Sequence, residues 1–341
     1  MSAPICRLPF EFAEVNVDGD IYFCCPLWAR GNCIGSITKT SFDKVWNSDT
    51  ARAIRKSVLD GSYKFCDRGI CKFCPADSGE DYAARTMDGH YSKSPKEIKF
   101  NHCAECNLAC GCCRKSLYFT PGDDLARLNS EIDSVYLPLL DGVERVCFAG
   151  FGDPFASRHY RELIKRAAEK YPDLKFLFHT NGVGASRQML KDLGVEDRLY
   201  GIQVSIHSAT RETWQNFTRG RPEQYDALME NIKYLSELKE RGLLPTLQIN
   251  FVITNFNYRE LVPFIRLAKS FSSDRIEIWG YRNWSLQTPT EEAGLSVFRP
   301  GHHEYDKLRE ILRDPVFAKP EVHLYPEIKK IRDEALQEAG A

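Results

Sequence analysis

Asn101-His-Cys-Ala-Glu-Cys106-Asn-Leu-Ala-Cys110-Gly-Cys-Cys113-Arg114 spaces three cysteines as C-x3-C-x2-C. Three thiolates at that spacing can hold three corners of a cubane iron-sulfur cluster and leave the fourth iron open. A purely structural metal normally has a closed coordination shell, so an open corner implies that something else binds there. Positions 106, 110 and 113 are also i, i+4 and i+7, one face of a helix. Asn107 and Gly111 oppose that reading because both are poor helix formers. A second competing reading is zinc, since Cys110-x2-Cys113 and Cys71-x2-Cys74 form two pairs of the kind that clamp a structural ion.

Working outward, five of the thirteen cysteines lie within 103–113 and seven within 6–74, and Cys147 stands alone in an apolar stretch. Such clustering without an export signal points to metal binding, not disulfides, and to a cytoplasmic protein. Cys147 reads as a buried structural thiol. The 341 residues suffice for two domains, or for one of barrel size with an appendage. The 46 basic residues balance 47 acidic ones without a long single-sign block, which disfavours nucleic acid and anionic membrane as partners. No apolar run approaches 18 residues, so no membrane-spanning helix is expected.

From Glu97 onward short apolar strands alternate with amphipathic stretches, the pattern of a parallel sheet wrapped by helices. Strands are expected near 97–101, 144–149, 174–179, 200–206, 246–253 and 275–280. Helices are expected over 125–140, 157–171, 185–193, 222–241 and 257–271, with Leu228, Ile232 and Leu235 marking one buried face. Two further helices, 303–313 and 326–338, are expected in a tail. In barrels of this kind chemistry collects at the C-terminal ends of the strands. The cysteine loop follows the first strand, Gly150-Phe-Gly-Asp-Pro154 the second and Thr180-Asn181-Gly182 the third, while Ser205 and His207 end the fourth.

The cysteine run, with Asn107 and Leu108 after its first ligand, resembles the cluster loop of the radical S-adenosylmethionine (radical SAM) superfamily. Cys112 departs from that pattern, standing where the family has an aromatic residue. The resemblance implies a partial (β/α)6 barrel and a cluster on Cys106, Cys110 and Cys113 whose open iron chelates S-adenosylmethionine. It also implies a one-electron donor of flavodoxin or ferredoxin type. Gly150, Gly152 and Asp153 match the motif that receives the cofactor's ammonium, with aspartate in place of glutamate. Asn181 matches a turn position, Ser205 a cofactor contact, and Arg219 a partner for the methionine carboxylate.

The first 80 residues resemble the SPASM or twitch modules that carry auxiliary clusters, through Cys6, Gly19-x4-Cys24, Gly35, Trp46-Asn-Ser48, Arg55 and the late group Cys66, Cys71 and Cys74. That implies one auxiliary 4Fe-4S cluster on four of Cys6, Cys24, Cys66, Cys71 and Cys74, with Cys25 and Cys33 structural. The expected organisation is an α/β chain with a cysteine-rich domain over 1–90, a radical SAM partial barrel over 95–285 and a helical cap or tail over 286–341. The implied activity is reductive cleavage of S-adenosylmethionine and abstraction of hydrogen from an unactivated C–H bond, in a net oxidation or crosslinking of a peptide or protein, or of a small alcohol or sugar. No catalytic acid or base is spelled by a motif. The competing class is a zinc-stabilised binding protein without catalysis.

Overall fold

The computed structural model describes residues 5–68, 71, 88–148, 150–283 and 287–340. The chain forms two compact units. One comprises Met1–Ala104, Thr120–Gly152 and Arg158–Phe176, the other Glu105–Phe119, Asp153–Ser157 and Leu177–Ala341.

The first unit holds β1 (Phe12–Val15), β2 (Asp20–Tyr22), β3 (Gly35–Ser36), β4 (Glu97–Phe100) and β5 (Arg145–Phe148), in the order β5-β4-β1-β2-β3. β1 pairs with β4 and β4 with β5 in parallel, whereas β2 and β3 add antiparallel turns of chain. The N-terminal cysteine-rich region therefore donates a strand to the same parallel sheet as the first expected barrel strand. Ile98, Phe100, Val146 and Phe148 are fully buried on one face, where Phe148 meets Tyr160 of the helix Arg158–Lys170. The opposite face is polar: Glu14, in register with Lys99, makes an ion pair to it at 3.2 Å.

The second unit continues β6 (Lys175–Thr180), which begins in the first, and holds β7 (Leu199–Ser205), β8 (Leu247–Ile253), β9 (Arg275–Gly280) and β10 (Val322–Leu324). Their order is β10-β9-β8-β7-β6, and the pairs β7–β8, β8–β9 and β9–β10 are parallel. Here too one face is apolar, with Val204, Ile249 and Ile276 fully buried. The other carries a ladder in which Gln203 faces Gln248, Ser205 faces Asn250 and Asn250 faces Glu277. Strands this deeply buried on both faces keep polar residues only where those residues satisfy one another or a ligand.

The six strands expected from alternation are present within two residues of their expected limits. Four short strands, β1, β2, β3 and β10, were not expected, being too brief to show a period. The helix expected over 125–140 is instead an α-helix, Gly122–Ser130, followed by a π turn, Ile132–Tyr136, and a 3-10 turn, Leu137–Leu140. Pro138 lacks the amide hydrogen that a continuous α-helix would need there. Among the described residues no helix is long and apolar enough to cross a membrane.

Candidate functional site

The cysteine loop is a series of turns and not a helix, so the i, i+4, i+7 spacing of its sulfurs is set by tertiary bonds. Cys106 N donates to Tyr118 O at 3.1 Å and closes the base of the loop. Cys113 N and Arg114 N both donate to Cys110 O, at 2.8 and 3.0 Å, folding the second and third ligands into one turn. Ala109 N and Gly111 N donate to Thr218 O and Phe217 O at the end of the helix Arg211–Thr218. Gln224 Nε2 holds Asn107 O at 3.1 Å, and Gln287 Nε2 holds Gly111 O at 3.0 Å. Leu108 and Ala109 are buried beneath, while the three sulfur-bearing residues remain half-buried.

Burial pushes the Cys106 thiol up to about 11, with the Asp153 carboxylate adding to the effect. Burial and the charges of Cys112, Cys113 and Cys106 raise Cys110 well above the ordinary thiol range. Charges on neighbouring sulfurs oppose further deprotonation, which a bound cation relieves. Cys106, Cys110 and Cys113 are in no disulfide. The donor set thus fits a thiophilic metal group with Cys106, Cys110 and Cys113 as its protein ligands.

Asn181 does more than form the expected turn. Its Nδ2 donates to Asn107 Oδ1 at 2.8 Å and points at Cys106 Sγ at 3.7 Å. Asp153, expected to receive an ammonium, has both carboxylate oxygens occupied. Phe155 N and Ala156 N donate to Oδ1, and Thr180 Oγ1 and Asn181 N donate to Oδ2, all within 3.1 Å. With 1 % of its surface exposed, Asp153 locks the turn after β6 onto the segment Asp153–Ser157. Burial raises its pKa despite those four donors. Arg219 caps the helix Arg211–Thr218 in a left-handed conformation, φ 56°, and its Nη1 donates to Lys115 O at 2.6 Å, so it braces the end of the cysteine loop. Ser205 is half-buried at the end of β7. Next to it, burial pushes His207 down to about 4; its Nδ1 accepts from Val252 N at 3.1 Å, which leaves the proton on Nε2. Cys112 is half-buried, and Tyr281 near it donates to Gln287 Oε1 at 2.7 Å.

In the first unit, Gly150 adopts φ +104°, and a Cβ there would lie 1.2 Å from Asn101 Oδ1. That oxygen accepts from Phe151 N at 2.9 Å, and Asn101 Nδ2 donates to Glu14 Oε1 at 2.8 Å. Gly152 follows, half-buried. Gly150→Ala must therefore displace Asn101 and strain the backbone, and should lower stability by about 1–3 kcal/mol. Anaerobic denaturant unfolding of the iron-loaded protein measures that loss.

The first unit also contains a cavity lined by Cys6, Cys24, Cys66 and Cys71, its remaining walls largely apolar, among them Phe23, Trp28 and Val58. Tyr63 ties two of these cysteines together: its hydroxyl oxygen accepts from Cys6 N at 3.2 Å and its carbonyl from Cys66 N at 2.9 Å. Cys71 N donates to Asp67 O at 3.0 Å. Cys25 and Cys33 do not line the cavity, and Cys33 Sγ is spent on Gly35 O at 3.2 Å. Cys74 lies outside the described residues. Among the described residues no three His, Cys, Asp or Glu side chains converge as the ligands of one ion. A cubane takes each thiolate on a different iron, so its ligands stand apart around a shared space, as these four do.

The loop-bracing residues Gln224 and Gln287 carry no local signal in the sequence, since each acts across a long stretch of chain, whereas Asn107 belongs to the cysteine motif itself.

Comparison with known proteins gives two domain matches. Residues 100–268 match the Radical SAM superfamily, and residues 6–75 match SPASM, an iron-sulfur cluster-binding domain. Among curated proteins, a "Probable GTP 3',8-cyclase" of Saccharolobus islandicus (strain M.14.25 / Kamchatka #1) is 29% identical over 174 residues, 50% of this chain and 48% of that protein. A "GTP 3',8-cyclase" of Mycobacterium ulcerans (strain Agy99) is 29% identical over 170 residues, 48% of this chain and 44% of that protein. The chain thus spans about half the length of the curated relatives it matches. Among solved structures, Streptococcus suis SuiB bound to the precursor peptide SuiA aligns with a TM-score of 0.44 at 17% identity, covering 86% of this chain and 66% of that one.

Proposed function

The chain belongs to the radical SAM superfamily and carries a SPASM domain ahead of its radical SAM domain, and from that premise we propose that it carries out a two-electron oxidation of an unactivated C–H bond in a polar substrate, a peptide or a small hydroxyl compound. The observation that carries the oxidative reading is the cavity lined by Cys6, Cys24, Cys66 and Cys71, which offers a second cluster full cysteine ligation. Full ligation by protein favours electron transfer over substrate binding at that cluster.

When bound, the clusters and S-adenosylmethionine supply reductive cleavage to methionine and a 5′-deoxyadenosyl radical, abstraction of a substrate hydrogen by that radical, and acceptance of the electron left behind. The chain's own residues bind, orient and exclude water. Cys106, Cys110 and Cys113 would hold the cluster to which S-adenosylmethionine binds. The Asn181 amide directed at Cys106 Sγ offers a hydrogen-bond dipole to the sulfur, a known lever on cluster potential. Gln224, Gln287 and Arg219 hold the backbone of the loop that carries these cysteines. His207, neutral and fixed by Val252 N, presents an Nε2 donor beside Ser205. The ladder of half-buried Gln203 and buried Gln248, Asn250 and Glu277 supports a hydrogen-bonding substrate over a hydrocarbon one.

The test is anaerobic incubation of iron-loaded protein with S-adenosylmethionine and a one-electron donor, with 5′-deoxyadenosine and substrate mass read by mass spectrometry. Peptides, sugars, alcohols and GTP, which the relatives' names carry, form the panel. Production of 5′-deoxyadenosine together with a product two hydrogens lighter is expected. Iron-loaded protein that forms no 5′-deoxyadenosine overturns the reading.

A further inference from the structure

Arg55, on the helix Asp49–Leu59, is fully buried, and among the described residues no carboxylate pairs with it. Its Nε donates to Pro9 O at 2.8 Å, and its Nη1 to Asn47 Oδ1 at 3.1 Å and Gly89 O at 3.3 Å, whereas Nη2 has no partner among the described residues. The guanidinium carbon stands 4.5 Å from the ring centre of Trp46, 4.7 Å from Phe23 and 5.7 Å from Tyr91. Carbonyls and ring faces solvate a cation but do not neutralise it. A buried, unpaired charge is among the costliest features a fold can carry.

The compensating charge has an evident place. Phe23 and Pro9, which touch the guanidinium, line the cavity of Cys6, Cys24, Cys66 and Cys71, as do Ile54 and Val58 of Arg55's own helix. A 4Fe-4S cluster with four thiolate ligands is anionic in both redox states, and gains one further negative charge on reduction. A fixed cation close by in an apolar wall stabilises the reduced form more than the oxidised one. Burial draws the guanidinium down to about 9, which still leaves it charged at neutral pH.

We propose that Arg55 is the built-in countercharge of the auxiliary cluster and raises its reduction potential, so that this cluster accepts the electron left on the substrate. The proposal rests on the reading of the cavity as the auxiliary site. Arg55 is a positioning residue in this role, since it touches no reacting atom.

The experiment uses the full chain with Cys106→Ala/Cys110→Ala/Cys113→Ala, which leaves the auxiliary cluster as the sole paramagnet, and follows its reduction by electron paramagnetic resonance in a redox titration. Arg55→Gln and Arg55→Met should lower the one-electron reduction constant at least tenfold, about 59 mV, while Arg55→Lys stays within about threefold of the parent. Neutral variants that hold full iron at the parent potential overturn the proposal. Should the neutral variants lose iron, Arg55→Lys decides: retention of iron by lysine is the expected result for a countercharge, and its loss shows that shape and not charge is needed. Absence of iron from the parent itself defeats the assignment of the cavity, and the proposal with it.

Discussion

Replacing Cys106, Cys110 and Cys113 together by alanine should leave about four iron atoms per chain in place of about eight, and no cleavage of S-adenosylmethionine. The expected loss is total because the three thiolates are the entire protein contribution to that cluster. Single alanine variants should behave nearly as the triple one, since a cubane held at two corners is not retained through purification. The remaining irons should stay, because the loop is built from its own tertiary bonds to Phe217, Thr218, Gln224 and Gln287, and none of these involves the second cysteine set. Iron and sulfide analysis of anaerobically purified protein, with 5′-deoxyadenosine as the activity readout, checks both halves of the expectation. A triple variant that still cleaves the cofactor would place the cluster elsewhere.

Cys6→Ala/Cys24→Ala should produce the reciprocal result: iron again falls to about four, substrate oxidation disappears, and some uncoupled formation of 5′-deoxyadenosine persists. The structural cost should be larger than for the first set. Cys6 and Cys24 line a cavity whose other walls are mostly apolar, so loss of the cluster leaves thin packing around Phe23, Trp28 and Val58. Ligand binding energy of this kind is folding energy for a small metal-dependent domain, on the order of 10 kcal/mol for structural sites. Far-ultraviolet circular dichroism and limited proteolysis of the N-terminal region should both register the loss. A variant that keeps its full iron content and its substrate turnover would remove the auxiliary role from this cavity.

Much of the site was legible in the order of residues, for identifiable reasons. Three ligands within eight residues are a local property, and Cys106, Cys110 and Cys113 stand together on one loop whatever the rest of the chain does. The strands from Glu97 to Gly280 were legible because a buried parallel strand must be a short apolar run between turn residues. Other features were not. Cys6, Cys24, Cys66 and Cys71 are spread over more than sixty positions, and only the folded chain gathers them around one cavity. Asp153 reads in sequence as an acid free to meet a ligand, yet four donors from two segments consume its oxygens. Asn181 reads as a turn former, yet its side chain reaches the first cysteine ligand across seventy-five positions.

The amino-acid sequence by itself determined the type of chemistry and the frame that carries it, because thiolate spacing and the period of apolar residues are short-range quantities. Tertiary structure alone decided which polar groups remain available and which are held in bracing loops, and it set Arg55, with no carboxylate partner among the described residues, against Phe23 and Pro9 of the cysteine cavity's wall. Those outcomes depend on distances between segments far apart in the chain, and burial then sets the cost of every charge left without a partner.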